Sequence, residues 1–175
     1  TVGGDMGMNF SYNSRIASNR GLVGTYWNVP TNTATFGRGD SMTPNAVQTL
    51  VRTDSGVSFD WGSAAPDDAV SQSYFQAKWT GYMTPPSGTY SFGFLADDGV
   101  ALQLGTTGII TDQWGDQHQT SPQMETAANQ VLTVNGSQWS IGSQSGQLPI
   151  PITVDYYQRG GSSNVYLEVQ QQSGS

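Results

Sequence analysis

The sequence predicts an all-β protein, an antiparallel sandwich or barrel, and three observations carry that expectation. Apolar residues alternate with polar ones in short runs, the period of half-buried strands. Gly, Pro and Asn turn signals separate the runs. No window keeps a helical period over a useful length; the segment "NSRIASNRG" near the N-terminus has room for one turn.

The elements follow in order. "GLVGTYW" (Gly21–Trp27) is the first clear strand and runs into a Thr/Asn-rich loop containing Pro30. "GVSFDWG" (Gly56–Gly62) sets Val57, Phe59 and Trp61 on one face. "SYFQAKWTGYM" does the same with Phe75, Ala77 and Trp79, leaving Gln76 and Lys78 opposite. "TPPSG" (Thr84–Gly88) is a turn, because two prolines cannot sit inside a central strand. In "SFGFLADDGVALQL", Phe92, Phe94 and Ala96 alternate on the way in and Val100, Leu102 and Leu104 on the way out. "QVLTVNG" ends in Asn135-Gly136, a tight hairpin signal. "IPITVDYY" alternates Ile150, Ile152, Val154 and Tyr156, and "NVYLEVQ" alternates Val165, Leu167 and Val169. Two stretches break the spacing and read as long polar loops, Thr111–Asn129 and Gly136–Gln147; loops of that length in a compact domain are functional or mobile. The polar tail "QQQSGS" reads as a linker remnant.

The 175 residues suffice for one domain with a real core, and no repeat or linker divides residues 1–175. Hydrophobic residues make up 35% and charged residues only 11%, the balance of a turn-rich β protein. The formal charge of −7, with few Lys or Arg, argues against nucleic acid and anionic membrane as partners, since both need a basic face. Acidic excess fits a soluble extracellular protein, and Asp-rich loops suit hard cations such as calcium. The absence of cysteine removes thiol catalysis, disulfides and Cys-based zinc sites. A single histidine, His118, removes a multi-His metal centre. No segment reaches transmembrane length, and "TVGGDMGMNF" has neither a basic start nor an apolar signal core. The chain is expected to be a piece of a larger protein.

Chemistry concentrates at Asp97-Asp98-Gly99, where two strands meet. Adjacent strand residues point to opposite faces, so the two carboxylates converge only if the backbone between them is unusual, as across a cis peptide. The triplet reads either as a polar turn or as a site for a hard cation. "YYQRGGSSN" (Tyr156–Asn164) is a Gly-rich loop whose Gln158 carries a side-chain oxygen. His118, beside Asp116, Gln117 and Gln119, reads as a hydrogen-bonding group of a sugar site or as a plain loop residue. Trp61 and Trp79 read as core by alternation, whereas Trp114 and Trp139 fall in the irregular stretches and either pack or line a ligand surface. Arg38-Gly39-Asp40-Ser41 contains an integrin-recognition tripeptide, a match short enough to arise by chance. Asn9-Phe10-Ser11 and Asn135-Gly136-Ser137 match the N-glycosylation sequon. "GSQSG" has Gln144 where a nucleophile elbow needs Ser, so nothing nominates an enzyme.

In order, "FDWG", "KWTGYMTPPSGTYSFGFLADDGVALQL", "DQW" and "PITVDYYQRGGSSNVYLEV" resemble the domain family named after the fourteen-kilodalton fragment of anthrax protective antigen, over about Gly21 to Val169. The resemblance implies an antiparallel β-sandwich, jelly-roll-like, with long ligand-binding loops. In its lectin members, among them yeast flocculins and epithelial adhesins, an Asp-Asp pair joined by a cis peptide binds calcium. The pair corresponds to Asp97 and Asp98, and a second loop supplies an amide and two carbonyls, here Gln158, Gly160 and Ser162. Gln158 departs from the Asn common in the family, and the toxin's own domain is not a sugar lectin. The implied function is a calcium-dependent carbohydrate-binding module of a cell-surface adhesin, extracellular and monomeric within its parent, taking mono- or oligosaccharides of cell-surface glycans. Arg159, Ser162 and Ser163 on the second loop, and Gln117 and His118 across the site, are expected to select the sugar. Two other readings stay open: an accessory domain of a secreted glycosidase, and a protein-interaction domain with a vestigial metal site.

Overall fold

The computed structural model describes residues 9–11, 21–106 and 108–172, and every element below lies within them. The chain is built from β1 (Asn9–Ser11), β2 (Leu22–Asn28), β3 (Val47–Asp54), β4 (Ser58–Gly62), β5 (Phe75–Met83), β6 (Gly88–Asp97) and β7 (Val100–Leu104). It continues through β8 (Ile109–Gln113), β9 (Gln123–Met124), β10 (Leu132–Asn135), β11 (Gln138–Ile141), β12 (Gln144–Gln147), β13 (Ile150–Gln158) and β14 (Ser163–Gln172), with one 3₁₀ turn at Ala128–Gln130. One sheet runs β1-β14-β6-β10-β11-β12, with β4 also paired to β14 and β9 to β6; the other runs β3-β2-β5-β13-β7-β8. The pairings are antiparallel, as β14 on β6 and β13 on β5 show at length. Among the described residues no helix is long and apolar enough to cross a membrane.

The alternation seen in the sequence is the core. Phe92, Phe94 and Ala96 from β6 face Phe75, Trp79 and Tyr156 from the second sheet, all fully or almost fully buried. Burying one such large apolar side chain contributes about 1.5–3 kcal/mol, so the two inner faces hold the sandwich closed. Asp97 and Leu95 alternate with that inward set and therefore lie on the outer face of their sheet.

Several expectations need correction. β3 was not anticipated, because it is a sheet-edge strand whose Val47 and Val51 are 63% and 53% exposed and whose pattern does not report a buried face. The stretch Thr111–Asn129 is not all loop: it begins inside β8 and contains β9. Gly136–Gln147 is not an excursion but most of a three-stranded meander, in which Gly136 (φ 59°) turns β10 into β11 and Trp139 and Ile141 point inward. The tail reads as strand as far as Gln172, since Gln170, Gln171 and Gln172 pair with β6. The helical turn expected in "NSRIASNRG" lies almost wholly outside the described residues.

Gln76 and Lys78 face away from the core, yet Gln76 is only 3% exposed. The segment between β2 and β3 crosses that face: Gln76 donates to the Gly37 carbonyl and Lys78 to the Gly39 carbonyl. Gly39 N–H in turn donates to Asp155 Oδ2 at 3.2 Å. Arg38 is held by both oxygens of Asp112 and lies 5.7 Å from the centre of the Trp114 ring. The arginine of the Arg-Gly-Asp triplet is thus committed within the chain.

Candidate functional site

β6 delivers Asp97 to the end of its sheet, and the Asp97–Asp98 peptide is cis. Both residues are 7% exposed. Asp98 Oδ1 accepts from Gln117 N–H at 3.1 Å and Oδ2 from Arg159 N–H at 2.8 Å, and its carbonyl accepts from Gln117 Nε2 at 3.1 Å. The Asp97 carboxylate meets His118 Nδ1 at 2.7 Å, and its carbonyl accepts from the Tyr156 hydroxyl. Burial pushes the Asp98 carboxyl above its ordinary pKa, the two N–H donors pull it back, and Asp97 and Asp116 push it up again.

Gly99 follows the pair for a steric reason rather than for a left-handed turn. A Cβ there would run into the Tyr157 ring. That ring is stacked on Phe36, centroids 4.1 Å apart, and meets Trp114 edge-on at 4.8 Å.

The second half of the site hangs from the end of β13. Gln158 is fully buried, and its Nε2 donates to the carbonyls of Gly160 and Ser162, each at 2.9 Å. Gly161 (φ 86°) turns the loop so that both carbonyls aim at that one nitrogen. Gln158 Oε1 lies 3.2 Å from the Tyr156 hydroxyl. The two halves are stitched together by Arg159 N–H on Asp98 and by Tyr157 N–H on the Gly99 carbonyl at 2.9 Å.

Of the residues named from sequence, Asp97, Asp98, Gln117, His118, Gln158, Gly160, Ser162 and the Arg159 main chain come together here. His118 is largely solvent-facing beside Asp97. The Arg159 guanidinium turns away to Asp116 at 3.0 Å and to the Thr33 and Ala34 carbonyls, so it ties the β2–β3 loop to the site. Ser163 is fully buried, its hydroxyl 3.5 Å from the Gly62 carbonyl, and it presents nothing to solvent. Trp114 packs on Tyr157, and Trp139 is 7% exposed in the core. Sequence reasoning missed Tyr156, Tyr157 and Asp116, because the tyrosines sit in a strand that reads as ordinary core.

The residues that meet here carry two carboxylates, two carbonyls and an amide oxygen, donors that would suit a hard cation. In the arrangement described, an N–H₂ group occupies the point where the two carbonyls converge, which marks it as a position for an electropositive partner. A half-turn of the amide presents Oε1 there instead and leaves Nε2 to donate to Tyr156. Among the described residues no three His, Cys, Asp or Glu side chains gather as a metal cluster, so a cation here would have to draw on main-chain and amide oxygens as well.

The sequence matches the PA14 domain over residues 18–174. The chain belongs to the PA14 domain family. The anti-sigma-I factor RsgI3 of Acetivibrio thermocellus is 37% identical over 72 residues, 41% of this chain and 11% of that protein. The PA14 domain described here thus spans a small part of that relative's length. Among solved structures, an anti-sigma factor domain-containing protein superposes with a TM-score of 0.64 at 24% identity, covering 89% of this chain and 44% of that one. A PA14 sugar-binding domain from an RTX adhesin superposes with a TM-score of 0.59 at 18% identity, covering 89% and 92%. Both share its fold.

Proposed function

We propose that this PA14 domain is a calcium-dependent carbohydrate-binding module of an extracellular, surface-displayed protein. The observation that carries the reading is the nearly buried Asp97–Asp98 pair, stitched to a loop whose Gly160 and Ser162 carbonyls converge on one point. Two like charges held out of water need a cationic partner. Calcium, when bound, supplies that charge and open coordination positions that vicinal sugar hydroxyls fill in place of water.

The chain's own residues orient the sugar. Asp97 and Asp98 accept hydrogen bonds from hydroxyls, and charged acceptors strengthen them. Gln117 and Arg159 hold Asp98 through main-chain N–H groups, which fixes the direction of its free lone pairs. His118, exposed beside Asp97, turns its other ring nitrogen to the rim, where it can accept from a sugar hydroxyl while Nδ1 donates to the carboxylate. The RTX adhesin domain, named a sugar-binding domain, supports the substrate class. The anti-sigma-I relative supports a second reading of the parent protein, in which the same module sits on a regulator instead of an adhesin.

A glycan array run with calcium and with a chelator, on wild type and Asp98→Asn, tests the reading. Calcium is expected to add sugar binding to wild type that Asp98→Asn does not show. If calcium adds no glycan binding to wild type beyond what both proteins show in chelator, the reading falls.

A further inference from the structure

We propose a second, calcium-independent glycan-binding surface on the outer face of β10, β11 and β12. The registers place Thr133, Ser140 and Ser145 in one rank across the three strands, and Asn135, Gln138 and Gln147 in the next. All six side chains are exposed, and they line a cavity of about 450 Å³. Three hydroxyls thus stand beside three carboxamides, groups that both donate and accept hydrogen bonds. Among the described residues none of the six side chains is spent on a hydrogen bond within the chain.

A separate observation points to the class of ligand. No charged residue falls between Glu125 and Asp155, in a chain of formal charge −7. β12 is also the end strand of its sheet among the described residues. Sheet edges are ordinarily guarded by charged side chains or proline, and β12, Gln144–Gln147, carries neither. An uncharged polar face rejects ionic ligands and matches a neutral, hydroxyl-rich one. Adjacent strands lie about 4.8 Å apart, a spacing comparable to one pyranose ring. A neutral polysaccharide laid across the strands therefore meets one rank member per sugar.

This surface lies far from the acidic pair. β10 pairs with the Gly88–Tyr90 end of β6, whereas Asp97 is at the other end, roughly 25 Å away at strand rise. The inference does not depend on calcium, so the two sites fail or stand separately. Together they would give one domain two points of attachment to a glycan and a gain in avidity.

The test is affinity electrophoresis in native gels containing hydroxyethyl cellulose, laminarin or galactomannan, with excess EDTA throughout. Wild type and Asp98→Asn should be retarded equally by at least one polymer. Gln138→Ala with Gln147→Ala should weaken that interaction at least about tenfold, or 1.4 kcal/mol, and Ser140→Glu should abolish it. Circular dichroism of the variants confirms that these exposed positions leave the fold intact. No retardation in any gel, or retardation untouched by both variants, overturns the proposal. So does a self-association seen by sedimentation that Ser140→Glu removes without any polymer binding, because the edge then serves a second copy of the chain.

Discussion

The Tyr156 hydroxyl donates to the main-chain carbonyl of Asp97 and lies 3.2 Å from Gln158 Oε1. One fully buried side chain from β13 therefore touches both halves of the acidic site. Burial and the two nearby carboxylates raise its pKa far above the ordinary phenol value, so it remains a neutral donor. Tyr156→Phe keeps the packing and removes the hydroxyl. The expected loss is about 1–3 kcal/mol of unfolding free energy, read from urea unfolding. On the calcium reading, calorimetry should also show weaker calcium binding. Reduced stability with unchanged calcium affinity would confine Tyr156 to packing.

Gly99→Ala drives a methyl into the Tyr157 ring, which Phe36 and Trp114 hold in place. Overpacking of this kind costs about 1–3 kcal/mol. Phe36→Ala gives the ring room to move, so the double variant should lose less than the sum of the singles. Strict additivity in the four unfolding free energies would show that the clash is relieved elsewhere.

The sandwich was legible because its inward residues obey period two: Phe92, Phe94 and Ala96, or Ile150, Ile152 and Val154, announce their strands without help. β11 and β12 were not, because Gly, Ser and Gln dominate them and only Trp139 and Ile141 turn inward. β3 was hidden for the opposite reason, since its valines face solvent at a sheet edge. At the site, the acidic pair and the Gly-rich loop were visible as chemistry. The roles of Arg159 and Ser163 were not, because a guanidinium that braces Thr33 and Ala34 depends on a loop more than a hundred residues away in sequence.

Asp155 gives a pH signature away from the acidic site. Burial raises its carboxyl pKa above the ordinary value, and Lys78, Gly39 N–H and Arg38 only partly offset this. The folded state therefore holds the proton more tightly than the unfolded state. Stability contributed by the group is present below the unfolded pKa and is lost as pH rises through the raised folded value. Urea unfolding of wild type and Asp155→Asn across the mildly acidic range should show a steeper falling slope in wild type, the variant keeping only what raised carboxyls such as Asp98 and Glu168 contribute. Lys78→Met removes a compensating charge, 3.7 Å from Asp155, and should extend the slope to higher pH. Identical profiles for the three proteins would contradict it.

Asp54 is the hub of a buried network on the second sheet. Tyr26 and Trp79 both donate to its Oδ2 at 2.8 Å, and Arg52 pairs with its Oδ1 at 2.8 Å. Asp54→Ala leaves a phenol, an indole N–H and a guanidinium without their acceptor. Removing one member of such a pair costs about 3–5 kcal/mol; with Arg52 partly exposed, the lower end is expected, measured as a shift in urea midpoint. A loss below about 1 kcal/mol, the range of a surface ion pair, would mean that water replaces the carboxylate.

Asp97→Asn separates repulsion from ligation. Asp97 is among the groups that raise the Asp98 carboxyl pKa, so removing its charge lowers the cost of ionising Asp98 in the metal-free protein. An asparagine can still hydrogen-bond His118, whose ring nitrogen lies 2.7 Å from the carboxylate. In chelator the variant should therefore melt no lower than wild type. Calcium at one hundred times its dissociation constant should stabilise wild type by about 2.7 kcal/mol, while the variant, short of one ligand, should respond weakly. Magnesium should move wild type less, because it demands a near-octahedral shell that this mixed set of carbonyls and carboxylates does not offer. Thermal melts of both proteins in chelator, calcium and magnesium check all three outcomes. Equal calcium shifts in the two proteins would remove Asp97 from the ion's shell.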